Sequence, residues 1–566
     1  MTKASAQHVA ESRCSCGLDW LDRPRFVWLL LFRLANLALV RTWFGPDEHF
    51  QSVEVAYEKV FGVGHLSWEW RPEFALRSFL HPLLFMVLYA PLKLLGLDSG
   101  VLVRLLPEPP PRGPRDQTVA RSAFLLYLSN WFVWFCAPRT LSNSLETVLT
   151  IVGLHFYPLE MSRVHVLEKK HPGFPFVGYS VCAALACLIR PTSALIWVPL
   201  AAVHLYRSKK QRTRLLVQHH LPPAVVVAAF SVVLDSTIYG RFTIPAWNFV
   251  EFNALRGGSA NFGVNPPYWY LSEGLPPVFT LSIVPLVLAV WELFFMNGPP
   301  PSKHRRQFTS VQSAAGDRRL EHRFLLPVIP LLLPYVASYV NRLERFNTLA
   351  LWLIVLLQVP LCGYFGLFHQ KAPGEMVDFV NEELKERALG PATIAHLMPC
   401  YSMPQYAAIH PYGVLGTKII ALDCSPNLNG VRFSCPCFQS ILFAFRRCCP
   451  GRTRDESELF HFDPLNFVRT RWAEIGQSNF IFVYERVFKK LEAFLVRSKG
   501  FEVARTFYNT RFPVGDNQDP LVYASSTEDG DLTPVPLTSF FSLPPDCSPL
   551  PVCNQSDLRA NCHDLN

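Results

Sequence analysis

The sequence predicts an α-helical polytopic membrane protein with a smaller mixed α/β domain towards its C-terminal end. Of its 566 residues, 50% are hydrophobic and 17% are charged, whereas an average soluble domain has about 25% charged residues. The apolar residues form runs close to the ~20 residues that a helix needs to cross a bilayer. Beyond residue 369 these runs give way to short strand-like pieces such as Phe480–Tyr484. These features exclude a disordered chain, a fibrous repeat and an ordinary cytosolic enzyme.

The first 25 residues are polar, and Arg23 and Arg25 immediately precede the first apolar run. No small-residue cleavage site follows that run, so residues 1–25 are predicted to be a retained cytosolic segment and not part of a cleaved signal peptide. The multi-span module is expected to occupy residues 26–369. Its ten candidate spans are 26–41, 79–97, 119–137, 143–159, 174–190, 192–206, 220–239, 276–296, 323–340 and 346–369.

Charge predicts which connections face the cytosol. Basic clusters occur at Lys169–Lys170, Arg207–Arg212 and Lys303–Arg306, and positively charged connections are typical of the cytosolic side of a membrane. The large connections at 42–78 and 240–275, which hold aromatic and polar residues, are expected to face the other way. The same rule accounts for the excess of 53 basic over 44 acidic residues, so no nucleic-acid partner is expected. The sequence does not identify a protein partner.

The last third of the chain differs in composition from the rest. Residues 370–515 are predicted to form the mixed α/β domain, and residues 516–566, with Asp, Pro and Ser throughout, are predicted to be disordered. Nine of the 15 cysteines follow residue 399, and outside the cytosol such cysteines form disulfides. The pairs at 435–437 and 448–449 could instead bind a metal, but no zinc-type histidine spacing accompanies them.

The connection after the first span opens with two adjacent carboxylates, Asp47 and Glu48, directly after Pro46. Spacing alone favours a helix N-terminus, with Asp47 as the N-cap. The alternative is a carboxylate at the membrane surface that acts as a general base. Trp68 and Trp70 follow in the same connection, and beside a bilayer such residues more often form an interfacial belt than a sugar-binding platform.

The string from Pro46 to Ala56, with Leu66–Trp70 and Leu76–Ser78, resembles glycosyltransferase family 22. Further matching strings are Arg139–Glu146, Arg190–Thr192, Asp235 with Tyr239–Gly240, Trp247–Phe249 with Phe252–Asn253, and Glu321–Phe324. The resemblance implies a mannosyltransferase of the GT-C fold that takes its sugar from dolichyl phosphate mannose. It also implies a multi-pass protein of the endoplasmic reticulum membrane, with the active site and the C-terminal domain facing the lumen.

Within the family, other strings resemble the branch that adds the third mannose to the glycosylphosphatidylinositol (GPI) precursor. They are Trp68–Trp70, Tyr268–Tyr270 with Glu273–Gly274, Pro399–Ser402, Asp423–Pro426 and Asp463–Leu465. This resemblance implies an inverting α1,2 transfer to the second mannose of the precursor. The expected partners are therefore a lipid-linked donor and a GPI-precursor acceptor in the membrane. No cofactor and no metal are expected, because no nucleotide diphosphate takes part.

The resemblance also implies roles for individual residues. Asp47 matches the family's acidic position and is expected to be the general base, with Glu48 as the fallback or as a group that orients the acceptor. Arg77, Arg139 and Arg190 are candidates to bind the donor phosphate, although ordinary snorkelling or salt bridges would place them similarly. The candidates to bind the donor phosphate or the acceptor further include Trp68, Glu69, Asn248, Asn253 and Trp269. Cys400 and Cys424 are the candidate disulfide cysteines.

Three polar residues lie within apolar surroundings, at Asn143, Glu146 and Asp235. Ionisable and polar groups are costly inside a membrane, so each is a candidate functional residue. Hydrogen bonding between helices would explain them as well and is the favoured interpretation.

Some positions depart from the family pattern. Asn265, Tyr268 and Arg319 stand where the family has histidines, and a Pro-rich stretch at 98–118 stands where an apolar segment is expected. One crossing is therefore missing from the pattern, and ten crossings from a cytosolic N-terminus would put the C-terminal domain in the cytosol. Either 79–97 replaces the missing crossing or 174–206 is not two full spans.

Four other functions stay open at this point. A mannosyltransferase of the N-glycan precursor, or the fourth GPI mannosyltransferase, would share the acidic connection. A non-catalytic relative would keep the fold while its histidines changed. A secondary transporter would explain the spans and the buried polar residues, but it should show paired half-chain repeats, which the sequence lacks.

Overall fold

The computed structural model describes most of the helical region and most of the C-terminal sheet. Residues 1–23 of the predicted cytosolic segment, the stretch at 98–116, Cys400 and the clustered cysteines lie outside the described residues, as does the end of the predicted tail. The described residues are 24–94, 117–157, 174–208, 212–256, 258, 268–295, 321–386, 392–399, 401–425, 455–511 and 519–527.

Each of the ten predicted apolar runs contains a helix. In the N-terminal half the helices are α1 (Pro24–Leu39), α2 (Glu54–Phe61), α3 (Leu80–Leu94), α4 (Gln117–Ser129), α5 (Trp131–Cys136), α6 (Ser142–Phe156), α7 (Phe174–Ile189), α8 (Ala194–Arg207), α9 (Leu221–Tyr239) and α10 (Pro245–Val250). The helices that follow up to residue 386 are α11 (Leu275–Phe279), α12 (Ile283–Phe295), α13 (Ile329–Asn341), α14 (Asn347–Leu367) and α15 (Ala372–Glu386).

Several of these helices have the length and composition of membrane spans. Three continuous helical stretches are long and apolar enough to cross a bilayer, at Arg212–Tyr239, Tyr270–Glu292 and Asn347–Glu386. Four shorter apolar helices accompany them, at Val27–Leu39, Leu80–Leu94, Phe176–Ile189 and Ile329–Asn341. The chain is therefore a membrane protein with a mostly helical body.

The predicted span at 119–137 is broken at Asn130, which separates α4 from α5. The Asn130 side chain accepts a hydrogen bond from the Val133 N–H at 3.0 Å and donates one to the Val278 carbonyl at 2.9 Å. Beside this break, the Gln358 amide accepts from the Trp131 N–H at 3.1 Å and bonds Thr280 Oγ1 at 2.6 Å. Side-chain amides thus satisfy the backbone groups that a break exposes inside an apolar bundle.

The helix at the predicted span 79–97 packs against α2 and the C-terminal domain. Phe85 and Tyr89 of α3 pack in one buried cluster with Ala56 of α2 and with Ala407 of the C-terminal domain. Since α2 follows the acidic connection, α3 lies at the same end of the helical body as that connection and the domain. The expectation that 79–97 replaces the missing crossing stays a prediction.

Helices α12 and α13 run parallel, although they follow one another among the described helices. At one end the His322 ring lies 3.2 Å from the Glu273 carbonyl, and at the other Arg342 and Glu292 form an ion pair at 2.6 Å. Residues 295 and 321 therefore lie at opposite ends of this helix pair. The predicted spans 276–296 and 323–340 are therefore not antiparallel neighbours, as a simple up-and-down order of spans would make them.

The C-terminal region contains a five-stranded mixed sheet. Its strands are β1 (Thr393–Leu397), β2 (Lys418–Ala421), β3 (Phe480–Tyr484), β4 (Phe501–Tyr508) and β5 (Leu521–Thr527), in the order β2-β1-β3-β5-β4. Its later helices are α16 (Glu456–Phe462), α17 (Pro464–Thr470), α18 (Trp472–Ile475) and α19 (Glu485–Glu492). Strand β1 pairs in parallel with β2 and β3, and β5 pairs antiparallel with β3 and β4.

The central strand β3 is buried throughout, which confirms the strand predicted at 480–484. One face of the sheet packs against α15 through Phe379 and Val380, and the other packs against α17 and α19 through Val468 and Leu491. The sheet extends to Thr527, beyond the boundary predicted at residue 515. Strand β5 belongs to the sheet because it fills the place between β3 and β4, a long-range pairing that its polar composition does not predict.

Candidate active site

The acidic connection folds into a helical segment that leads into α2. Backbone N–H groups of Glu48 and Phe50 donate to the carbonyls of Gly45 and Pro46, at 3.2 and 3.1 Å. The Asp47 carboxylate does not cap this helix start. It forms an ion pair with Arg323, which lies just before α13. The N-cap interpretation that spacing favoured is therefore replaced by a long-range charge pair.

Arg323 was not among the predicted site residues, although it lies in the Glu321–Phe324 string that carried the family resemblance. Its guanidinium pairs with Asp47 and also with Glu321, at 2.6 Å for the second pair. The Arg323 side chain is 13% exposed and the Asp47 side chain 23% exposed. The pair is thus accessible at the surface of the site.

Three arginines act on the Asp47 carboxylate, Arg323 as its ion-pair partner and Arg77 and Arg190 through their charges. Burial favours the neutral acid, but the charges of Arg323, Arg77 and Arg190 together hold the pKa of Asp47 below its usual value. The structure therefore brings together Asp47 and two of the three predicted phosphate-binding arginines, and adds Arg323. A carboxylate beside clustered guanidinium groups is suited to acid–base chemistry on an anionic substrate.

Arg77 is held in position by Glu69. Its Nη2 lies 2.9 Å from Glu69 Oε1 and its Nε lies 3.2 Å from Glu69 Oε2, a two-point pairing that fixes the guanidinium plane. The Gln51 amide donates to the same carboxylate at 3.1 Å. Glu69, predicted to bind substrate, thus orients Arg77.

Arg190 is held by residues at the start of α6 and α8. Its Nε lies 3.0 Å from Glu146 Oε2, and its Nη1 donates to Ser142 Oγ at 2.9 Å. Ser193 also hydrogen-bonds the Glu146 carboxylate. Glu146 is therefore the buried partner of Arg190, as the interhelical interpretation of this residue predicted.

Glu48 pairs with Arg139 in the interior, away from the Asp47 cluster. Arg139 Nη1 lies 2.7 Å from Glu48 Oε2 and 2.7 Å from the Thr42 carbonyl, and its Nε donates to the Phe135 carbonyl at 2.9 Å. The Arg139 side chain is only 3% exposed. Protein groups occupy this guanidinium, so Arg139 is the least available of the predicted phosphate-binding residues.

The predicted acceptor residues take other places. Trp68 is buried against Phe74 and Phe252, with ring centroids 5.1 and 5.6 Å away. Its ring faces are covered, so they do not present a sugar platform. Asn248 donates to the carbonyls of Phe74 and Ala75, at 3.3 and 3.1 Å, and holds that turn.

Asn253 and Trp269 lie in the connection predicted at 240–275. The Asn253 amide donates to the Phe249 carbonyl at 3.0 Å within its own helical turn. Trp269 is buried, and its ring meets the His322 ring edge-on at 4.9 Å. Trp269 thus contacts the residue that precedes Arg323. The Asn253 amide bond lies within its own helical turn.

Asp235 is a buried structural carboxylate. It accepts hydrogen bonds from the Phe79 N–H at 2.7 Å, from Ser78 Oγ at 2.9 Å and from Ser231 Oγ at 3.0 Å. These bonds fix the start of α3 against α9, in agreement with the interpretation of intramembrane polar residues as hydrogen-bonding groups. Asn143 is also buried, at the start of α6.

The C-terminal domain docks on the acidic connection through polar contacts. The buried Glu54 carboxylate accepts from the backbone N–H groups of Tyr406 and Ala407, at 2.9 and 3.1 Å. Burial raises the pKa of Glu54 to about 7. Arg71 pairs with Asp423 at 3.0 Å on the surface. The domain thus holds the helix that follows Asp47.

A further polar contact and an aromatic contact lie beside these. The Tyr57 hydroxyl and His410 Nδ1 are hydrogen-bonded at 2.7 Å, and the Tyr401 ring lies 4.7 Å from the Phe50 ring. Cys424 is disulfide-bonded, and the other four described cysteines are free. Its partner therefore lies outside the described residues, where Cys400 also lies.

Among the residues that the structure describes, no group of three or more His, Cys, Asp or Glu side chains is arranged to hold a metal ion.

Comparison with known proteins identifies the family. Residues 25–108 and 114–410 match the profile of the Alg9-like mannosyltransferase family. The chain is 32% identical over 518 residues to GPI alpha-1,2-mannosyltransferase 3 of Mus musculus, covering 86% of each protein. It is 29% identical over 518 residues to the Homo sapiens protein of that name, covering 86% of this chain and 85% of the human protein.

Among solved structures, the chain is similar to ArnT from Cupriavidus metallidurans bound to undecaprenyl phosphate. The sequence identity is 12% and the TM-score 0.44, over 88% of this chain and 98% of ArnT. The profile and the curated relatives establish that the chain belongs to the Alg9-like mannosyltransferases, glycosyltransferase family 22. The relatives also bear the name of the branch that the sequence strings predicted.

Proposed function

We propose that this chain transfers mannose from dolichyl phosphate mannose to the GPI precursor, adding the third mannose in α1,2 linkage. It does so as a multi-pass protein of the endoplasmic reticulum membrane with the GT-C fold, and its active site and C-terminal domain face the lumen. The names of the mouse and human relatives support the reaction and the acceptor. The observation that carries the mechanism is the Asp47 carboxylate held among three arginines.

The reaction needs one base and a site for an anionic leaving group. The acceptor hydroxyl oxygen attacks the anomeric carbon of the mannose, and its proton passes to Asp47. The bond from that carbon to the phosphate oxygen breaks, and dolichyl phosphate leaves with the electron pair. A phosphate leaves without prior protonation, so one carboxylate suffices, and a single displacement inverts the anomeric centre.

The arginines supply the positive charge that the leaving phosphate requires. Arg323, Arg77 and Arg190 converge on Asp47, and we assign the phosphate to this group. Arg139 is left out of the assignment because Glu48 and backbone carbonyls occupy it. With three fixed guanidinium groups present, we expect transfer to proceed in the presence of a metal chelator.

A direct transfer assay tests the proposal. Purified full-length protein is supplied with radiolabelled dolichyl phosphate mannose and a two-mannose GPI precursor. We expect one labelled mannose to be added and then released by an α1,2-specific mannosidase. Asp47→Asn should lower the rate by about 10²–10⁴-fold, the contribution of a general base. Glu292→Gln, which removes a carboxylate from the surface pair with Arg342, is the matched control and should transfer normally.

Two outcomes would contradict the proposal. Transfer to an N-glycan precursor and not to the GPI precursor would assign the chain to another pathway of the same family. Binding of dolichyl phosphate mannose without turnover would indicate a non-catalytic relative.

A further inference from the structure

We propose that the donor phosphate competes with Asp47 for Arg323, so that binding of the donor releases the base for the acceptor hydroxyl. This inference rests on the proposed function and concerns how the same site is regulated. It predicts that the donor binds before the acceptor can react.

The Asp47 carboxylate has a guanidinium partner within the chain. Its Oδ2 is ion-paired with Arg323, and a guanidinium partner makes a carboxylate a weaker base towards a sugar hydroxyl. The neighbouring side chains in the connection have other partners: Glu48 is paired with Arg139, and the His49 ring stacks on the Trp43 ring with centroids 5.1 Å apart. A base in this position becomes stronger when its guanidinium partner is shared with another anion.

Arg323 is the arginine in the cluster from which a ligand can displace a partner. Its partners are Asp47 and Glu321, with side chains 23% and 43% exposed. By contrast, Arg190 and Glu146 are 6% and 4% exposed, and Glu69 holds Arg77 at two points. Replacing a carboxylate by a phosphate therefore costs the least free energy at Arg323, because solvent already reaches both of its carboxylate partners.

The phosphate also changes the electrostatics of the base. The charged groups that face Asp47 are Arg323, Arg77 and Arg190, and together they hold its pKa below the usual value. A phosphate among the same arginines adds negative charge and offsets their field. The pKa of Asp47 then rises, which makes it a stronger base at the moment when the acceptor needs one.

Competition predicts an unusual response to mutation. A short-chain polyprenyl phosphate, titrated against purified full-length protein, should bind more tightly to Asp47→Asn and Asp47→Ala than to the wild type. We expect a gain of about 10-fold, because a competing charged partner of Arg323 is lost. Arg323→Gln should lose about the same factor. Glu292→Gln, at the other end of the helix pair, should bind as the wild type does.

Glu321→Gln gives an independent measurement, since it removes the other carboxylate on Arg323 and leaves Asp47 in place. It should also raise the affinity for polyprenyl phosphate. The corresponding uncharged polyprenol is the ligand control, and its binding should be the same in all variants. Thermal unfolding of each variant shows that the affinities are measured on folded protein.

The outcomes separate the inference from the function on which it rests. If the wild type transfers mannose but both Asp47 variants and Glu321→Gln bind polyprenyl phosphate equally or more weakly, the competition is overturned and the enzyme assignment stands. If the wild type neither transfers mannose nor binds polyprenyl phosphate, both are overturned. Tighter binding by the Asp47 and Glu321 variants, with loss of transfer in Asp47→Asn, supports the inference.

Discussion

At the scale of single residues, long-range charge pairs decide the roles of the acidic connection. Asp47 and Glu48 are adjacent, yet each joins a different arginine, Arg323 or Arg139. The first pair is reachable by a ligand and the second is closed inside the bundle. The two neighbouring carboxylates therefore have different expected roles: Asp47 acts in the reaction, and Glu48 stabilises the fold.

This difference predicts that Glu48→Gln acts mainly on stability. The substitution leaves the buried Arg139 guanidinium without its counter-ion, and breaking such a pair costs about 3–5 kcal/mol. We expect a marked fall in the thermal unfolding temperature, measured in detergent, with a smaller effect on turnover by the folded fraction. The double variant Glu48→Met with Arg139→Met should recover part of the stability, because no unpaired charge remains. A single variant that unfolds like the wild type but loses turnover would contradict this role.

Trp68 offers a second test at this scale. Because its ring is covered by Phe74 and Phe252, Trp68→Phe should keep the KM for the acceptor within about two-fold, while Trp68→Ala should lower stability by about 3–5 kcal/mol. Acceptor titrations of both variants measure this. A large rise in the acceptor KM of Trp68→Phe, with an unchanged unfolding temperature, would show instead that Trp68 binds the acceptor sugar.

The sequence could identify Asp47 but not its partner. The motif around residue 47 is local, so the family resemblance found it directly. Arg323 was present in another matching string, but nothing in one sequence says that the two strings meet in space. The same limit applies to Trp68 and Asn248: a residue type in a loop does not reveal whether it faces a ligand or fills the turn beneath it.

At the scale of elements, the segment from Asp47 to α2 depends on the C-terminal domain. Glu54, at the start of α2, is fully buried and bound by two backbone N–H groups of the domain. The apolar run at 79–97 gave no sign of this arrangement. Periodicity shows that a run is helical and apolar, but only the contacts of Phe85 and Tyr89 show that α3 packs on α2 and the domain.

The Glu54 contact predicts a pH-dependent stability. Burial raises the pKa of Glu54 from its ordinary 4.5 to about 7 in the folded protein. An acid with a raised folded pKa contributes stability that is complete below the unfolded pKa and is lost as the pH rises through the folded pKa. The unfolding temperature should therefore fall as the pH rises from about 5 to 8, because Glu54 must then ionise in a buried position.

Glu54→Gln should remove that part of the pH dependence. Its amide is neutral at every pH, like the protonated carboxyl, so the unfolding temperature of this variant should stay nearly constant over the same pH range. Glu58→Gln, on the same helix but not bound to the domain, is the control and should keep the wild-type pH dependence. Parallel pH profiles of wild type and Glu54→Gln would contradict the assignment.

At the scale of the whole molecule, the contacts constrain topology more than the apolar runs do. The acidic connection and the C-terminal domain touch through Glu54 and through Arg71, so they lie on the same side of the membrane. An even number of crossings must then separate residues 78 and 392. Hydropathy predicted the apolar helices, but it could not fix this parity, because the parity depends on which of these helices cross the membrane and on the parallel pair α12 and α13.

Glycosylation-site insertion tests this topology. Acceptor sites placed near Gly64 in the acidic connection and near Gly413 in the domain should both be modified when the protein is made in cells. A site placed at Ser208, after α8, should stay unmodified, because that connection is basic and is predicted to be cytosolic. Modification of only one of the first two sites would contradict the shared side.

The most direct test of the central claim is complementation of cells that lack the third GPI mannosyltransferase. The readout is GPI-anchored protein at the cell surface together with the lipid precursor that accumulates. Wild type should restore the surface protein and clear the two-mannose precursor, whereas Asp47→Asn at equal expression should do neither. If wild type is expressed and leaves the two-mannose precursor in place, or if Asp47→Asn rescues as well as wild type, the account of this protein and of its base is contradicted.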